Sequence, residues 1–314
     1  EIDPVRTTEH DEPPKPDNGK ENRFMPTYSL SAGLFIFDSH SKPTGDPIEA
    51  LERTATAGFQ ETELMAEGEA WDEVTQGDLG RLKSALEHSG LFPHTLHAPM
   101  SGIDLASGIE EIRRHGIDEM TKSMRILAEL GGRTVIVHPS GRPGPDEDAY
   151  SWENIGAAAE RAHASVSELV KVAETTGIRM ALENLPMTGL PCRPVVSMQE
   201  LRALIAGFPA EQVGLCLDTG HARICGLDPA EQARIAGERL VALHIQDVDG
   251  ERDCHWVPGR GVIDWAALGQ ALTDIDFDGA WTMEALSLEA DVSAQEVATA
   301  CAALRERWAS SGMA

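Results

Sequence analysis

The chain has 314 residues, of which 41% are hydrophobic and 5% are aromatic. This length suits one large α/β barrel with an aliphatic core. The formal net charge of −26 disfavours binding to nucleic acid phosphates or anionic membranes, and it favours a small-molecule substrate. Solubility or a salt-rich habitat would explain the same charge.

Residues 1–26 are rich in Pro, Asp, Glu and Lys and contain few apolar side chains. Such a segment cannot offset its ordering entropy by burial, so we predict a disordered acidic tail at 1–26 and one barrel domain at 27–314. Five scattered cysteines without a CxxC pair indicate free thiols in a reducing, cytoplasmic compartment. Because the chain begins at Glu1, export with a removed signal stays an alternative. No apolar run approaches the ~20 residues that span a bilayer, so no membrane partner is expected.

Strand and helix patterns alternate from residue 28 onward. Helices are predicted over 46–57, 109–130, 152–176, 197–206, 229–237, 264–273 and 293–309. Strands are predicted over 28–37, 59–65, 94–98, 134–138, 178–183, 213–218, 240–246 and 280–285. Eight strands that alternate with helical stretches predict a single (β/α)8 TIM barrel. A doubly wound sheet is the alternative, but it typically has fewer strands, and no Gly-rich phosphate loop follows the first strand.

Acidic and imidazole side chains stand at the ends of the last four predicted strands: Glu183, Asp218, His244 and Glu284. Because active sites of such barrels lie at the carboxyl ends of the strands, we predict that these four hold one divalent ion. A mixed carboxylate and imidazole set suits Mn2+, Co2+ or Zn2+ better than Mg2+. Structural roles are the alternatives, for example a helix cap for Asp218 and a core histidine for His244.

Further polar side chains follow other strands or lie in the loop after the seventh strand. We predict that they bind substrate: His97, His138, His221, Asp253, His255 and Arg260. Structural or supporting roles are the alternatives for the histidines. Arg260 lies in a Pro-Gly-Arg-Gly turn, where it could bind an anionic substrate or face solvent.

A resemblance to the xylose-isomerase-like TIM barrel superfamily, in its sugar phosphate isomerase/epimerase branch, runs from about residue 28 to the end. It is carried by six segments: LHAPMSGIDLAS, VIVHPSG, ALENLP, GLCLDTGHARICG, LHIQDVDGERDCHWVPGRGVIDW and WTMEAL. The resemblance implies that His221 and His255 contact substrate. It also implies that one divalent ion is held by Glu183, Asp218, His244 and Glu284.

The chain also resembles endonuclease IV, a family that binds three zinc ions with nine ligands. Matching residue types stand at nine positions: His97, His138, Glu183, Asp218, His221, His244, Asp253, His255 and Glu284. A DNA enzyme needs basic loops for phosphates, whereas this chain is strongly acidic. The segment after His97 also lacks aromatic and basic residues, so the sugar branch is favoured and no nucleic acid partner is expected.

The resemblance to the ketohexose 3-epimerases has one departure. Those enzymes carry a substrate-binding arginine before Val-Pro-Gly, where this chain has His255 and Trp256. This difference disfavours a free ketohexose as the substrate. Inosose dehydratases and isomerases, hydroxypyruvate isomerases, dehydroshikimate dehydratases and keto-glycoside lyases share the same frame and stay open as alternatives.

From these residues we expect a metal-dependent isomerase or epimerase of a small polyhydroxylated keto compound, a sugar or a cyclitol. Glu183 would remove or return a proton on one side of the substrate and Glu284 on the other, while the ion stabilises an enediolate. Loss of a β-hydroxyl would instead make the enzyme a dehydratase or lyase. A non-catalytic sugar-binding barrel is a further alternative, and a homo-oligomer is compatible with any of these.

Overall fold

A computed structural model describes residues 27–77, 79–144, 148–286 and 292–310. Eight parallel strands close into a barrel in sequence order, and β8 pairs with β1. The strands are β1 Tyr28–Ser31, β2 Glu61–Met65, β3 Phe92–His97, β4 Thr134–Val137, β5 Arg179–Glu183, β6 Val213–Asp218, β7 Leu240–Ile245 and β8 Ala280–Met283. The predicted (β/α)8 barrel is confirmed, and the predicted tail at 1–26 lies outside the described residues.

Each strand is followed by one or more helices. They are α1 Gly33–Ile36, α2 Pro47–Thr56, α3 Glu69–Gly77, α4 Leu79–Ser89, α5 Glu110–Glu129, α6 Ile155–Thr176, α7 Met198–Leu204, α8 Thr219–Ile224, α9 Pro229–Ala236, α10 Trp265–Asp274 and α11 Ala294–Ser310, with a 3-10 turn at Gly237–Arg239. Aspartates cap several of them, for example Asp46, which accepts hydrogen bonds from Ile48 N and Glu49 N. None of the described helices is long and apolar enough to cross a membrane.

The first predicted strand is shorter than expected. It ends at Ser31, because the backbone N–H groups of Phe35 and Ile36 donate to the carbonyl of Ala32 and turn the chain into α1. A short, fully buried apolar run fits a strand and a helical turn equally well, so hydrophobic pattern alone could not place this boundary.

A layer of small apolar side chains lies beneath the carboxyl ends of the strands. Because side chains alternate along a strand, Ala181, Cys216 and Ala242 point to the same side of the sheet as Glu183, Asp218 and His244. These three pack into a separate buried apolar cluster. The polar groups at the strand ends therefore rest on an apolar layer, with the cavity described below on their other side.

Candidate metal centre and active site

A cavity of about 470 Å3 opens at the carboxyl ends of the strands. Glu183, at the end of β5, and Glu284, directly after β8, both line it. Five of the predicted substrate-binding residues line it as well: His97, His138, His221, Asp253 and His255. The fold thus brings polar groups from widely separated parts of the chain to one opening.

The four predicted metal ligands form one cluster. Ligating atoms of Glu183, Asp218, His244 and Glu284 lie within 4.8 Å of one another. Nδ1 of His244 lies 3.3 Å from Oε1 of Glu183 and 3.1 Å from Oε2 of Glu284. All four side chains are buried, so their charges are separated from bulk water.

The atoms of this cluster fit a divalent cation. Oε2 of Glu183, Nδ1 of His244 and Oε2 of Glu284 are buried, and despite these close neighbours none of them forms a well-aligned hydrogen bond among the described residues. Buried polar atoms without partners are costly, and a bound cation would satisfy all three at once. Three carboxylates and one imidazole form a donor set typical of Mn2+, Co2+ or Zn2+.

The pKa values of the cluster reflect burial and close opposite charges. Burial raises the pKa of Asp218 to about 7. Burial also raises the pKa of Glu284, but neighbouring His244 outweighs it and brings that pKa to about 2. Burial lowers the pKa of His244, yet Cys216, Glu284 and other acidic groups hold it well above its ordinary value. The raised pKa values of Asp218 and His244 favour protons on these groups, and a bound divalent cation would displace them.

Two further groups of potential ligands adjoin this cluster. In the first, Nε2 of His97 and Nε2 of His138 lie 3.5 and 3.2 Å from Oε2 of Glu183. In the second, Asp253 lies between two imidazoles, with Nε2 of His221 at 3.2 Å and Nε2 of His255 at 3.4 Å. Each group has the spacing of a candidate metal site, and together with the first cluster they contain all nine positions that resemble endonuclease IV.

Backbone carbonyls fix the orientation of three imidazoles. A carbonyl oxygen can only accept a hydrogen bond, so Nδ1 must be the donor in each ring. Three such bonds of 2.9 Å are present: His97 donates to Ala98 O, His221 to Asn184 O, and His255 to Glu284 O. The Nε2 atoms of these rings consequently face the carboxylates. His255 adopts this position with φ 49, an uncommon conformation for a non-glycine residue.

Several residues that support the site were not identified from the sequence. The side chain of Gln246 donates to Asp218 Oδ2 at 3.1 Å and Asp253 Oδ1 at 3.0 Å, and it accepts from His255 N at 3.0 Å. Glu63 on β2 lies 3.1 Å from His244 Nε2. Glu63 could have been recognised from the sequence, because it is a charged residue inside the predicted strand 59–65. No sequence pattern distinguished Gln246.

The structure does not bring Arg260 together with the other predicted site residues. Its exposed guanidinium lies 4.8 Å from the centre of the Trp256 ring, outside the cavity wall. Two other arginines, Arg142 and Arg193, line the cavity instead.

Fold and site define the class of the protein as a (β/α)8 barrel with carboxylates and imidazoles clustered at its mouth. A family model described as "Xylose isomerase-like TIM barrel" matches residues 51–307, and the chain belongs to this family. D-psicose 3-epimerase of Enterocloster bolteae is 31% identical over 249 residues, which cover 79% of each protein. Probable endonuclease 4 of Thermoplasma volcanium is 21% identical over 248 residues, 74% of this chain and 82% of that protein.

Solved structures share the same fold. The crystal structure of a D-tagatose 3-epimerase-like protein superposes with a TM-score of 0.72 at 22% identity, covering 90% of this chain and 99% of the other. The structure of the IOLI protein with a binding zinc atom has a TM-score of 0.70 at 20% identity, covering 88% of this chain and 96% of the other. Epimerases are thus prominent among the proteins that this chain resembles.

Proposed function

We propose that this protein is a divalent-metal-dependent isomerase or epimerase of a small polyhydroxylated keto compound. The observation that carries the proposal is the buried cluster of Glu183, Asp218, His244 and Glu284 beside the cavity, with unpartnered ligand atoms. Sugar epimerases among the relatives support the same class of reaction.

Glu183, Asp218, His244 and Glu284 would hold the ion. When bound, a divalent cation supplies Lewis acidity, which polarises a substrate carbonyl and lowers the pKa of the neighbouring C–H. Glu183 and Glu284 enter the cavity from β5 and from the end of β8, and both contact Nδ1 of His244. One carboxylate would take a proton from the substrate and the other would return one.

Protein groups around these glutamates would orient the substrate. His221 and His255 line the cavity with imidazoles fixed by carbonyl hydrogen bonds. Return of the proton to the opposite face of the same carbon gives epimerisation, and return to the neighbouring carbon gives isomerisation. Loss of a β-hydroxyl would make the protein a dehydratase or lyase with the same proton-abstracting groups.

Solvent deuterium exchange tests this function across a panel of candidate substrates. The full chain, supplied with Mn2+, Co2+ or Zn2+, would be incubated in D2O with ketopentoses, ketohexoses and inososes. We expect exchange at the carbon next to a carbonyl, its loss in Glu183→Gln and Glu284→Gln, and its retention in the control Glu87→Gln, an exposed position on α4. A protein that binds no metal and exchanges no member of the panel would contradict the proposal.

An abasic-site endonuclease with three zinc ions is the second candidate. It is supported by the three adjoining groups of potential ligands and by the endonuclease 4 relative. The net charge of −26 opposes it, because DNA binding is driven largely by neutralisation of phosphates. Three zinc ions per chain together with cleavage of abasic duplex DNA would favour this candidate over the isomerase.

A further inference from the structure

One side of the cavity is cationic. Ser140 and Arg142 follow β4, Arg193 lies in the loop after β5, and all three line the cavity beside His138 and Glu183. Among the described residues of the cavity wall, these two arginines are the sole arginine or lysine side chains. The rest of the ionisable wall consists of carboxylates and imidazoles, so positive charge is confined to this side.

No carboxylate among the described residues forms a direct ion pair with Arg193, although Asp104 acts on it from a greater distance. Its guanidinium makes one long contact, from Nη1 to the Ser140 carbonyl at 3.4 Å, and its buried Nε has no hydrogen-bond partner. Burial and the nearby Arg142 lower the pKa of Arg193, against the opposing effects of Tyr150 and Asp104. A half-buried guanidinium without a directly paired carboxylate is unfavourable, and an anion in the cavity would relieve this cost.

The neighbouring groups complete a potential anion site. Ser140 is fully buried, and its hydroxyl has no hydrogen-bond partner among the described residues. Nη2 of Arg142 donates to the carbonyl of Thr188 at 2.9 Å, which ties Arg142 to the loop that carries Arg193. Two guanidinium groups and a hydroxyl donor therefore lie on the same side of the opening.

We infer that Ser140, Arg142 and Arg193 form a subsite for an anionic group, a carboxylate or a phosphate, on the keto substrate. Guanidinium groups match both anions, because their N–H groups can donate in parallel to two oxygens. The inference rests on the proposed function and narrows its substrate class to a keto compound with an acidic group. It does not extend to long polyanions, which the acidic surface repels.

Calorimetric titration of the full chain with matched ligands tests the subsite. The probes form two pairs. The first is a neutral ketopentose and its terminal phosphate ester, and the second is a neutral ketohexose and the corresponding compound in which a carboxylate replaces the terminal hydroxymethyl group. We expect at least one anionic ligand to bind about 10- to 100-fold more tightly than its neutral partner, the range of a charged hydrogen-bond contribution. Comparison of the two pairs distinguishes a phosphate from a carboxylate.

Substitutions test whether Arg142 and Arg193 cause this preference. Arg193→Gln should remove most of the anionic preference and leave the neutral ligand within about 3-fold of its original affinity. Arg193→Lys should retain part of it. Arg142→Gln, at an exposed position, should weaken binding of the anionic ligand and serves as the second variant if Arg193→Gln does not fold. The control Arg125→Gln, exposed on α5, removes the same charge away from the cavity and should change neither affinity.

Equal affinity for neutral and anionic ligands, or equal weakening of both by Arg193→Gln and Arg142→Gln, would overturn the subsite. The deuterium exchange assay separates this outcome from failure of the proposed function. Exchange into neutral ketoses without an anionic preference eliminates the subsite and leaves the function standing. An anionic preference without metal-dependent exchange into either the neutral or the anionic ketoses eliminates the function and leaves an anion-binding barrel.

Discussion

Nε2 of His244 lies 3.1 Å from Oε2 of Glu63, although β7 and β2 are not neighbours in the barrel. The same oxygen accepts a hydrogen bond from the hydroxyl of Thr95 at 2.8 Å. A carboxylate on one imidazole nitrogen leaves the other, Nδ1, free to face Glu183 and Glu284. Glu63 is thus a positioning residue for the proposed metal ligand.

Removal of the Glu63 charge should weaken metal binding. We expect Glu63→Gln to raise the Kd for Mn2+ or Zn2+ by about 10- to 100-fold, because supporting carboxylates orient ligand imidazoles and raise their basicity. Competition with a chromophoric chelator measures this change. The control Glu61→Gln alters a half-buried glutamate of the same strand that contacts His94, and it should leave the Kd unchanged. An unaltered Kd in Glu63→Gln would show that Glu63 does not support the metal site.

Gly220 should not tolerate a side chain. A Cβ at this position would lie 2.5 Å from Cδ of Gln246, the residue that joins Asp218 and Asp253. We expect Gly220→Ala to displace Gln246, to lower the free energy of unfolding by about 1–3 kcal/mol and to slow exchange. Denaturant unfolding and the deuterium assay measure the two effects.

Gly156 supplies the matched control for Gly220. It lies in α6, and a Cβ there would meet nothing within 4 Å. Gly156→Ala should therefore be neutral or stabilising by up to about 1 kcal/mol, because alanine favours a helix. Similar losses of stability in the two variants would show that the contact with Gln246 is not the cause.

The loop after β7 should depend on Asp247. Its carboxylate accepts hydrogen bonds from Val248 N, Gly259 N, Ile263 N and the indole N–H of Trp265, at 3.0, 2.8, 3.2 and 3.1 Å. Asp247→Ala leaves four donors without this acceptor, so we expect a loss of about 3–5 kcal/mol in the free energy of unfolding. Asp249→Ala, two residues along, removes a more exposed carboxylate that accepts from Glu251 N and Arg252 N, and it should cost about 1 kcal/mol. Equal losses in a denaturant titration would contradict this assignment.

The metal-free protein should become less stable as the pH rises. Burial lowers the pKa of His255, but Asp253 and Glu284 outweigh it and raise that pKa from 6.5 to about 9. The contribution of His255 to the free energy of unfolding is therefore fully present below pH 6.5 and is lost as the pH rises through about 9. The pKa of Asp218 rises from 3.8 to about 7 on folding. Between these two pH values the folded state binds more protons than the unfolded state, so Asp218 also makes the protein less stable as the pH rises.

Thermal unfolding at several pH values tests this dependence. We expect the midpoint of the chelator-treated protein to fall between about pH 6 and pH 9, and His255→Gln to flatten the upper part of the curve. Excess Mn2+ or Zn2+ should raise the midpoint most at high pH, because deprotonated ligands bind metal more tightly. A midpoint that increases over this range would contradict the assigned pKa directions.

The sequence alone was sufficient to predict the barrel and the meeting of four ligand candidates. Alternation of buried strands with amphipathic helices depends on local pattern, and the carboxyl ends of barrel strands converge in every such fold. Glu183, Asp218, His244 and Glu284 were therefore predictable as neighbours from the strand pattern. The family resemblance was equally readable, and the family match confirms it.

Tertiary structure decided what surrounds these residues. Glu63 meets His244 across strands that do not pair, and the arginines of the cavity wall are Arg142 and Arg193 instead of the predicted Arg260. Such contacts depend on strand stagger and loop conformation, which many distant residues set together and no local pattern encodes. The sequence thus determined the barrel and its inner ring of polar groups, whereas packing between distant segments determined which charges support them and which line the cavity.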